Sequence, residues 1–343
     1  MPIQPNHILV IRLSAMGDVA MAVPVLRVFT EAYPNVKLTV LTRTSFTPFF
    51  RHLKNVEVFS LDLKGKHKGI FGLHKVSREL KTLDIDAVAD LHNVLRTKIL
   101  KLFFFGLKVI QIDKGREEKK ALVLGKKFSQ LKTTHQRYAD VFAELGFPLD
   151  LTNPKFPKRA VLNSKTQAIV GEKKAYKWIG IAPFAAHEGK MYPMELMKQV
   201  ISRLSKSNKI ILFGGGQKEI RQLNALENEF ENVVNVAGML TMDDELDLIS
   251  NLDLMVSMDS GNGHLAAMLG VKVVTLWGVT HPFAGFRPFH QPSEYSLLAN
   301  RSNYPLIPTS VYGNKFPENY KDCMTSISPQ EITDKIDSIL SSI

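Results

Sequence analysis

One cysteine, Cys323, stands among 343 residues. That excludes a disulfide framework and fits a reducing compartment. No stretch approaches the ~18–20 consecutive apolar residues that a membrane-spanning helix requires. The opening Met1-Pro2-Ile3-Gln4-Pro5-Asn6-His7 has neither the charged start nor the apolar run of a secretory leader, so a cytoplasmic location is expected. The ten histidines never fall into His-Glu-x-x-His or Cys/His ligand spacing, which leaves zinc unsupported. A Gly-x-x-x-x-Gly-Lys-Ser/Thr loop is absent, which argues against a P-loop nucleotide hydrolase. Basic residues do not interleave with aromatics as in single-strand binders, so no nucleic-acid partner is expected. Asp84-Ile85-Asp86 has the spacing of a metal-binding Asp-x-Asp, but it sits just before an apolar strand and reads as structural.

What is present is a globular composition, 45% hydrophobic and 22% charged, long enough for two domains with their own cores. The net charge of +11 is unevenly spread. Residues 1–171 carry 28 Lys+Arg against 14 Asp+Glu, while residues 172–343 carry 16 against 19. Two basic clusters stand out: Lys64, Lys66, His67, Lys68, Lys75, Arg78 and Lys81, then Lys114, Arg116, Lys119, Lys120, Lys126, Lys127 and Lys132. A basic half suits nucleic acid, an anionic membrane surface or an acidic substrate, although any single lysine reads better as solvated surface.

Strand and helix patterns alternate, which predicts α/β architecture with parallel sheets. Strands are expected at 7–13, 37–41, 56–61, 87–91 and 108–112, then at 178–182, 209–213, 254–258 and 271–277. Helices are expected at 25–32, 77–83, 195–204, 218–230 and 242–251. Pro24 predicts a kink or a late helix start. Residues 152–172 read as a link between domains. Ser328-Pro329-Gln330-Glu331 is a capping box that predicts a helix to about residue 340.

Residues 253–278 carry the strongest functional signal. An apolar strand leads into Asp259-Ser260-Gly261-Asn262-Gly263, then a short apolar helix expected near His264, a Gly270 cap and a second strand. Small residues at a helix mouth leave backbone N–H groups open at its positive end, an anion site. A histidine there makes sense facing a phosphate rather than as an isolated cation. The second signal is an apolar strand running through Arg12 into Ser14-Ala15-Met16-Gly17-Asp18, at the strand end where open α/β sheets bind ligands. Taken alone, Asp18 reads as a helix cap. Phe213-Gly214-Gly215-Gly216-Gln217-Lys218-Glu219 follows a strand and lacks the third glycine of a dinucleotide fingerprint, so it reads as a phosphate turn or a plain cap. Thr280 to Pro288, with His281 and Arg287, reads either as a ligand-lining loop or as a packed one.

Together these motifs resemble the bacterial heptosyltransferases, glycosyltransferase family 9. The resemblance rests on residues 8–19, on Asp259-Ser260-Gly261-Asn262-Gly263-His264 with its following Leu-Ala-Ala, and on Asp90-Leu91-His92-Asn93-Val94-Leu95-Arg96-Thr97. It runs from Ile8 to about Phe286. It implies a GT-B fold: two Rossmann-like domains with a cleft between them and a C-terminal helix returning to the first. The expected parts are an acceptor domain (1–165), a nucleotide-sugar domain (173–325) and the returning helix (328–343).

The implied activity is inverting, metal-independent transfer of heptose from ADP-heptose to a lipopolysaccharide inner-core acceptor, with no cofactor beyond the ADP-sugar co-substrate. The resemblance makes Asp18 the catalytic base and places Lys190, Asp259, Ser260, Gly261, Gly263 and His264 on the donor. Gln217 or Glu219 would meet the nucleoside. Lys64, Lys66, Lys68, Arg96 and Lys98 are expected to bind an anionic glycolipid acceptor at the cytoplasmic face of the inner membrane. Two departures stand in the Pro183…Lys190…Pro193 stretch: Phe184 where the family commonly has glycine, and Tyr192 in place of tryptophan. Another nucleotide-sugar enzyme, such as a different transferase or an epimerase, remains open from sequence, as does a non-catalytic glycan-binding relative.

Overall fold

The computed structural model describes residues 4–63, 65–173 and 176–342. By contacts the chain divides into two units, Met1–Lys114 with Thr134–Lys155, and Gly115–Thr133 with Phe156–Ile343.

The first unit holds strands β1 (His7–Ile11), β2 (Lys37–Arg43), β3 (Val56–Leu61), β4 (Ala87–Asp90) and β5 (Lys108–Gln111). They form one parallel sheet in the order β3-β2-β1-β4-β5. Its helices are α1 (Met16–Ala32), α2 (Gly69–Lys81), α3 (Leu95–Leu102) and, after the excursion of α4 (Arg116–Val123), α5 (Thr134–Leu145). The strand order reverses between β1 and β4, so the loops leaving these two strands flank the crevice where such sheets hold ligands. The start of β1 is tied down by Asp86, whose carboxylate accepts from the backbone N–H groups of Asn6 and His7 at 2.8 and 2.9 Å. The Asp-x-Asp spacing there is thus structural, as its position suggested.

Of the kink or late start expected from Pro24, the late start does not occur: α1 begins at Met16 and runs through the proline. Ten of its 17 residues are buried, and that apolar burial outweighs the one backbone bond that proline removes.

The second unit carries β6 (Lys177–Ala182), β7 (Asn208–Leu212), β8 (Val233–Asn235), β9 (Leu254–Met258), β10 (Lys272–Trp277) and β11 (Ser296–Leu298). They pair in parallel in the order β11-β10-β9-β6-β7-β8, reversing between β6 and β9. Helices α6 (Ser164–Val170), α7 (Met194–Leu204), α8 (Gln217–Glu229), α9 (Met242–Ser250), α10 (Gly261–Met268) and α11 (Pro329–Leu340) complete it. The short strands β8 and β11, three residues each, gave no usable period in the sequence.

Three expectations about organisation are corrected. The 152–172 stretch is no free link: from Phe156 onward it belongs to the second unit, and Asn163 caps α6 while its amide donates to Asp244. The C-terminal helix α11 is capped by Ser328 as expected, but its apolar stripe is buried within the second unit. Ile332, Ile336 and Ile339 join the core cluster of the second unit with Met197, Val200 and Ile201 of α7. Spacing of three and four residues puts these isoleucines on one helix face, and that face is spent on α7.

The basic second cluster also moves. Residues 115–133 fold with the second unit: Leu122 and Leu131 pack with Ala284, and the Lys119 ammonium lies 4.2 Å from the centre of the Phe286 ring. Counted by unit, Lys+Arg against Asp+Glu is 19 to 12 in the first and 25 to 21 in the second. The positive excess is therefore not confined to one unit.

Candidate active site

In the first unit the site is built at the end of β1. Arg12 continues the strand, buried among apolar neighbours, and Asp18 sits in the first turn of α1. The Arg12 guanidinium reaches both loops of the crevice. Its Nη1 donates to the Leu91 carbonyl beyond β4 at 2.6 Å, and its Nη2 pairs with Asp18 Oδ2 at 2.6 Å. The Ala15 N–H donates to the same oxygen at 3.2 Å. Both contacts fall on Oδ2, which leaves Oδ1 for an incoming group on a carboxylate that is about one-third exposed (31%). Tyr138 of α5 backs the pair, its hydroxyl donating to the Asp18 carbonyl at 3.2 Å and its ring 5.7 Å from the Arg12 guanidinium carbon. Full burial pushes the Tyr138 phenol up, keeping it a proton donor.

The β4 loop is organised by Asp90, which is fully buried. It accepts from the backbone of His92 and Asn93, from Thr97 Oγ1 at 2.9 Å and from Lys101 Nζ at 2.8 Å. This explains the Asp-Leu-His-Asn-x-Leu-Arg-Thr pattern: the aspartate ties the strand end to the first turn of α3. His92 is held in the same corner, where burial, followed by the nearby Arg12 and Lys114, pushes its pKa down to about 4.

Arg96 and Lys98 are exposed in the first turns of α3, at the same end of the sheet as Asp18. Lys66 and Lys68 follow β3, at the sheet edge two strands away from β1. Lys66 lies 3.8 Å from Glu79, and Lys68 is the N-cap position of α2. Lys64 lies outside the described residues. The four described residues of this set, Lys66, Lys68, Arg96 and Lys98, are thus not gathered at one point.

In the second unit the site again straddles the strand-order reversal. Asp259 and Ser260 leave β9, and α10 starts at Gly261, three residues before the expected His264. Ser260 is the N-cap residue, yet its hydroxyl does not cap the helix. It faces Ser257 Oγ at 3.1 Å instead. The first N–H groups of α10 therefore carry no side-chain cap, and the positive helix end is open to an anion. Gly263 lets this turn lie against β9, because a Cβ there would come within 3.2 Å of Ser257 Oγ. His264 is buried in the first turn. At the other end, Gly270 adopts φ +82°, as its capping position suggested.

Lys190 comes from the loop after β6 and crosses to the β9 loop, its Nζ 3.0 Å from Asp259 Oδ2. Thr280 Oγ1 donates to the same oxygen at 2.9 Å. Two glycines make room for this lysine. A Cβ on Gly313 would lie 2.4 Å from Lys190 Cδ, and one on Gly278 would lie 2.2 Å from the Gly189 carbonyl oxygen. Thr280 opens the 280–288 loop noted in the sequence but carries no role there, and Gly313 lies in no motif. Arg12 did carry a signal: it is a charged residue at the end of an otherwise apolar strand.

The α8 turn is less symmetric between its two candidates. Glu219 folds back to accept from the Gly215 N–H at 2.8 Å, while Gln217 is exposed. Phe184 leans on this turn, within 3.4 Å of where a Gly214 Cβ would stand, and lines a cavity of about 430 Å³ with Tyr192, Met194, Lys218, Glu219 and Lys321. Tyr192 is anchored in the core, its hydroxyl donating to the Ile327 carbonyl at 2.7 Å, and burial pushes its pKa up to about 12. His281 is packed rather than open. Its Nδ1 accepts from the Phe283 N–H, its ring lies 4.4 Å from that of Phe283, and burial ahead of Arg301 pushes its pKa down to about 4. Among the described residues no group of three or more His, Cys, Asp or Glu side chains is arranged to hold a metal ion.

Residues 73–314 match the model of glycosyltransferase family 9 (heptosyltransferase). The chain belongs to that family. The match contains Lys190, Gln217, Glu219 and the Asp259–His264 turn, whereas Asp18 precedes it. Family 9 membership makes the protein a glycosyltransferase, which decides the enzyme class against the epimerase and binding-module alternatives.

Among curated relatives, it is 25% identical over 292 residues to the lipopolysaccharide core heptosyltransferase OpsX of Haemophilus influenzae, covering 81% of this chain and 80% of that one. It is 22% identical over 333 residues to lipooligosaccharide heptosyltransferase 2 of Campylobacter jejuni, covering 94% and 95%. Of solved structures, a family 9 glycosyl transferase from Veillonella parvula superposes with a TM-score of 0.77 at 20% identity, covering 100% of this chain and 99% of that one. Escherichia coli heptosyltransferase WaaC, solved with ADP, gives 0.70 at 18% identity, covering 97% and 99%. These likenesses show the family 9 fold over the whole chain, two Rossmann-like domains of the GT-B class.

Proposed function

We propose that this family 9 glycosyltransferase moves a heptose, or a closely related sugar, from an ADP-linked donor to an anionic glycolipid of the lipopolysaccharide inner core. One observation carries the reading. Lys190, Asp259 and the uncapped start of α10 converge at the strand-order reversal of the second unit, an arrangement suited to a diphosphate. The relatives, core heptosyltransferases and one solved with ADP, suggest the sugar, the acceptor class and the nucleotide.

Asp18 Oδ1 takes the proton from an acceptor hydroxyl. The acceptor oxygen then bonds to the anomeric carbon from the face opposite the diphosphate. The bond from that carbon to the diphosphate oxygen breaks, ADP leaves with the electron pair, and the configuration inverts. Charge growing on the departing diphosphate is met by Lys190, released from Asp259, by His264 and by the N–H groups at Ser260, Gly261 and Gly263. With those donors in place, transfer is expected to proceed without added divalent metal. Glu219, held by Gly215, contacts the nucleoside. Arg96 and Lys98, with Lys64, Lys66 and Lys68, meet the acceptor's acidic groups, and the enzyme works peripherally at the cytoplasmic face of the membrane that carries it.

Calorimetric titration with ADP, UDP, GDP and CMP, with and without EDTA, tests the donor side. Selective ADP binding that survives EDTA and weakens in His264→Ala is expected. Preference for another nucleotide would overturn the ADP-heptose assignment. On the acceptor side, Asp18→Asn is expected to slow transfer by about 10²–10⁴-fold and leave ADP affinity intact.

A further inference from the structure

The first unit presents an apolar face that its own core does not use. Phe71 is 92% exposed and Ile70 64% on α2, and Leu95 is 76% and Leu102 77% exposed on α3. Phe105, just past α3, is 99% exposed. Scattered surface hydrophobes are ordinary, but four of these five lie on two neighbouring helices and the fifth follows the second of them.

Their common side follows from topology. The crossovers from β3 to β4 and from β4 to β5 step in the same direction along the sheet, so right-handed connections put α2 and α3 on one side of it. The two helices pack side by side, with the His74 ring 5.5 Å from that of Phe103. On α3, Leu95, Lys98 and Leu102 follow each other at three and four residues and form one outward stripe, opposite the buried Thr97 and Leu100. At the start of α2 the preceding loop closes against Gly72, where a Cβ would lie 2.2 Å from the His67 carbonyl carbon. That contact takes the inner side of the turn and leaves Ile70 and Phe71 on the outer one.

The charge on this face has one sign. Helices α2 and α3 carry Lys75, Arg78, Lys81, Arg96, Lys98 and Lys101 against the single acid Glu79. Lys101 is turned in to Asp90, and Glu79 lies near Lys66 and His67. Aromatic and aliphatic tips ringed by lysine and arginine suit the headgroup boundary of an anionic bilayer, where the tips leave water and the cations meet lipid phosphates.

We infer that the outer face of α2 and α3 is a bilayer-docking surface, with Ile70, Phe71, Leu95, Leu102 and Phe105 entering the headgroup region of an anionic phospholipid membrane. The inference rests on the peripheral, glycolipid-directed reading above and says which surface performs the attachment.

Flotation of the full chain with vesicles of phosphatidylcholine, with and without phosphatidylglycerol, tests it. The wild type is expected to float with the anionic vesicles. The triple variant Phe71→Ser, Leu102→Ser, Phe105→Ser is expected to lose about tenfold or more in partitioning, because three apolar side chains no longer leave water. Lys75→Glu with Arg78→Glu is expected to weaken binding to anionic vesicles, and added salt to do the same. ADP affinity and melting temperature serve as controls, and both stay at wild-type values because the altered side chains are solvent-facing. A triple variant that floats like the wild type would overturn the face while leaving membrane attachment standing. A wild type that floats with neither vesicle would sink the peripheral reading itself. A wild type that self-associates, with the triple variant monomeric and vesicle binding absent, would assign the face to a second copy instead.

Discussion

Arg12 and Asp18 are joined by a 2.6 Å ion pair between the end of a strand and the first turn of the helix that follows it. Arg12 reaches the Leu91 carbonyl with its other terminal nitrogen, so one guanidinium sets the distance between the two loops of the crevice and the orientation of the carboxylate. A planar fork does this, and a flexible ammonium does so poorly.

Arg12 is accordingly expected to act as a positioning residue. Arg12→Ala should lower kcat by about 10²-fold, with the KM for the nucleotide donor little changed, and Arg12→Lys should recover only part of the loss. Asp18→Asn should cost about 10²–10⁴-fold in kcat, as removal of a general base does. Steady-state kinetics with both substrates varied separates these outcomes. A donor KM that rises with kcat intact would place Arg12 in binding instead.

Gly313 is expected to control the donor site through Lys190. It adopts φ +77°, and a Cβ would lie 2.4 Å from Lys190 Cδ, so Gly313→Ala both strains the backbone and displaces the lysine stem. Donor affinity should fall by about 10–100-fold, the worth of one charged hydrogen bond, and melting temperature should fall with it. Lys190→Met should reproduce the affinity loss. Calorimetry on Gly313→Ala showing wild-type ADP affinity would remove the coupling.

The pH dependence of stability should carry a histidine signature. His92 and His281 have pKa values of about 4 in the folded chain against 6.5 for an unperturbed histidine. The unfolded state therefore binds more protons between these values, and stability rises with pH in that window. Unfolding midpoints should be flat above about pH 6.5 and fall as pH drops toward 4. His92→Gln and His281→Gln should each flatten part of that slope. Denaturant titrations across the window check this, and an unchanged slope in both variants would show that neither histidine is held neutral.

Nine of the eleven strands among the described residues were legible because each signal is local: a run of β-branched or apolar residues bounded by turn formers. The strands missed, β8 and β11, are three residues long and too short for a period to show. Both site loops were legible for a related reason. Asp18 follows β1 and the Asp259–His264 turn follows β9, and small or acidic residues after an apolar strand mark the strand end where α/β sheets bind ligands. Their chemistry became specific only through the resemblance, since an aspartate in a first helical turn is by itself a cap.

Local pattern, by itself, determined the element types, the parallel α/β class, the positions of the two motif loops and the capped helix at the end. Tertiary structure alone decided who meets whom. It chose β4 as the neighbour of β1 and β9 as the neighbour of β6, which brings Arg12 to Leu91 and Lys190 to Asp259. It also sent residues 115–133 to the second unit and α11 to α7, against expectation. The reason is physical: a side chain's type and period state that a face must be buried, but not which distant face will bury it. That choice is made by the order of strands in the sheet and by which apolar surfaces fit together once both have left water.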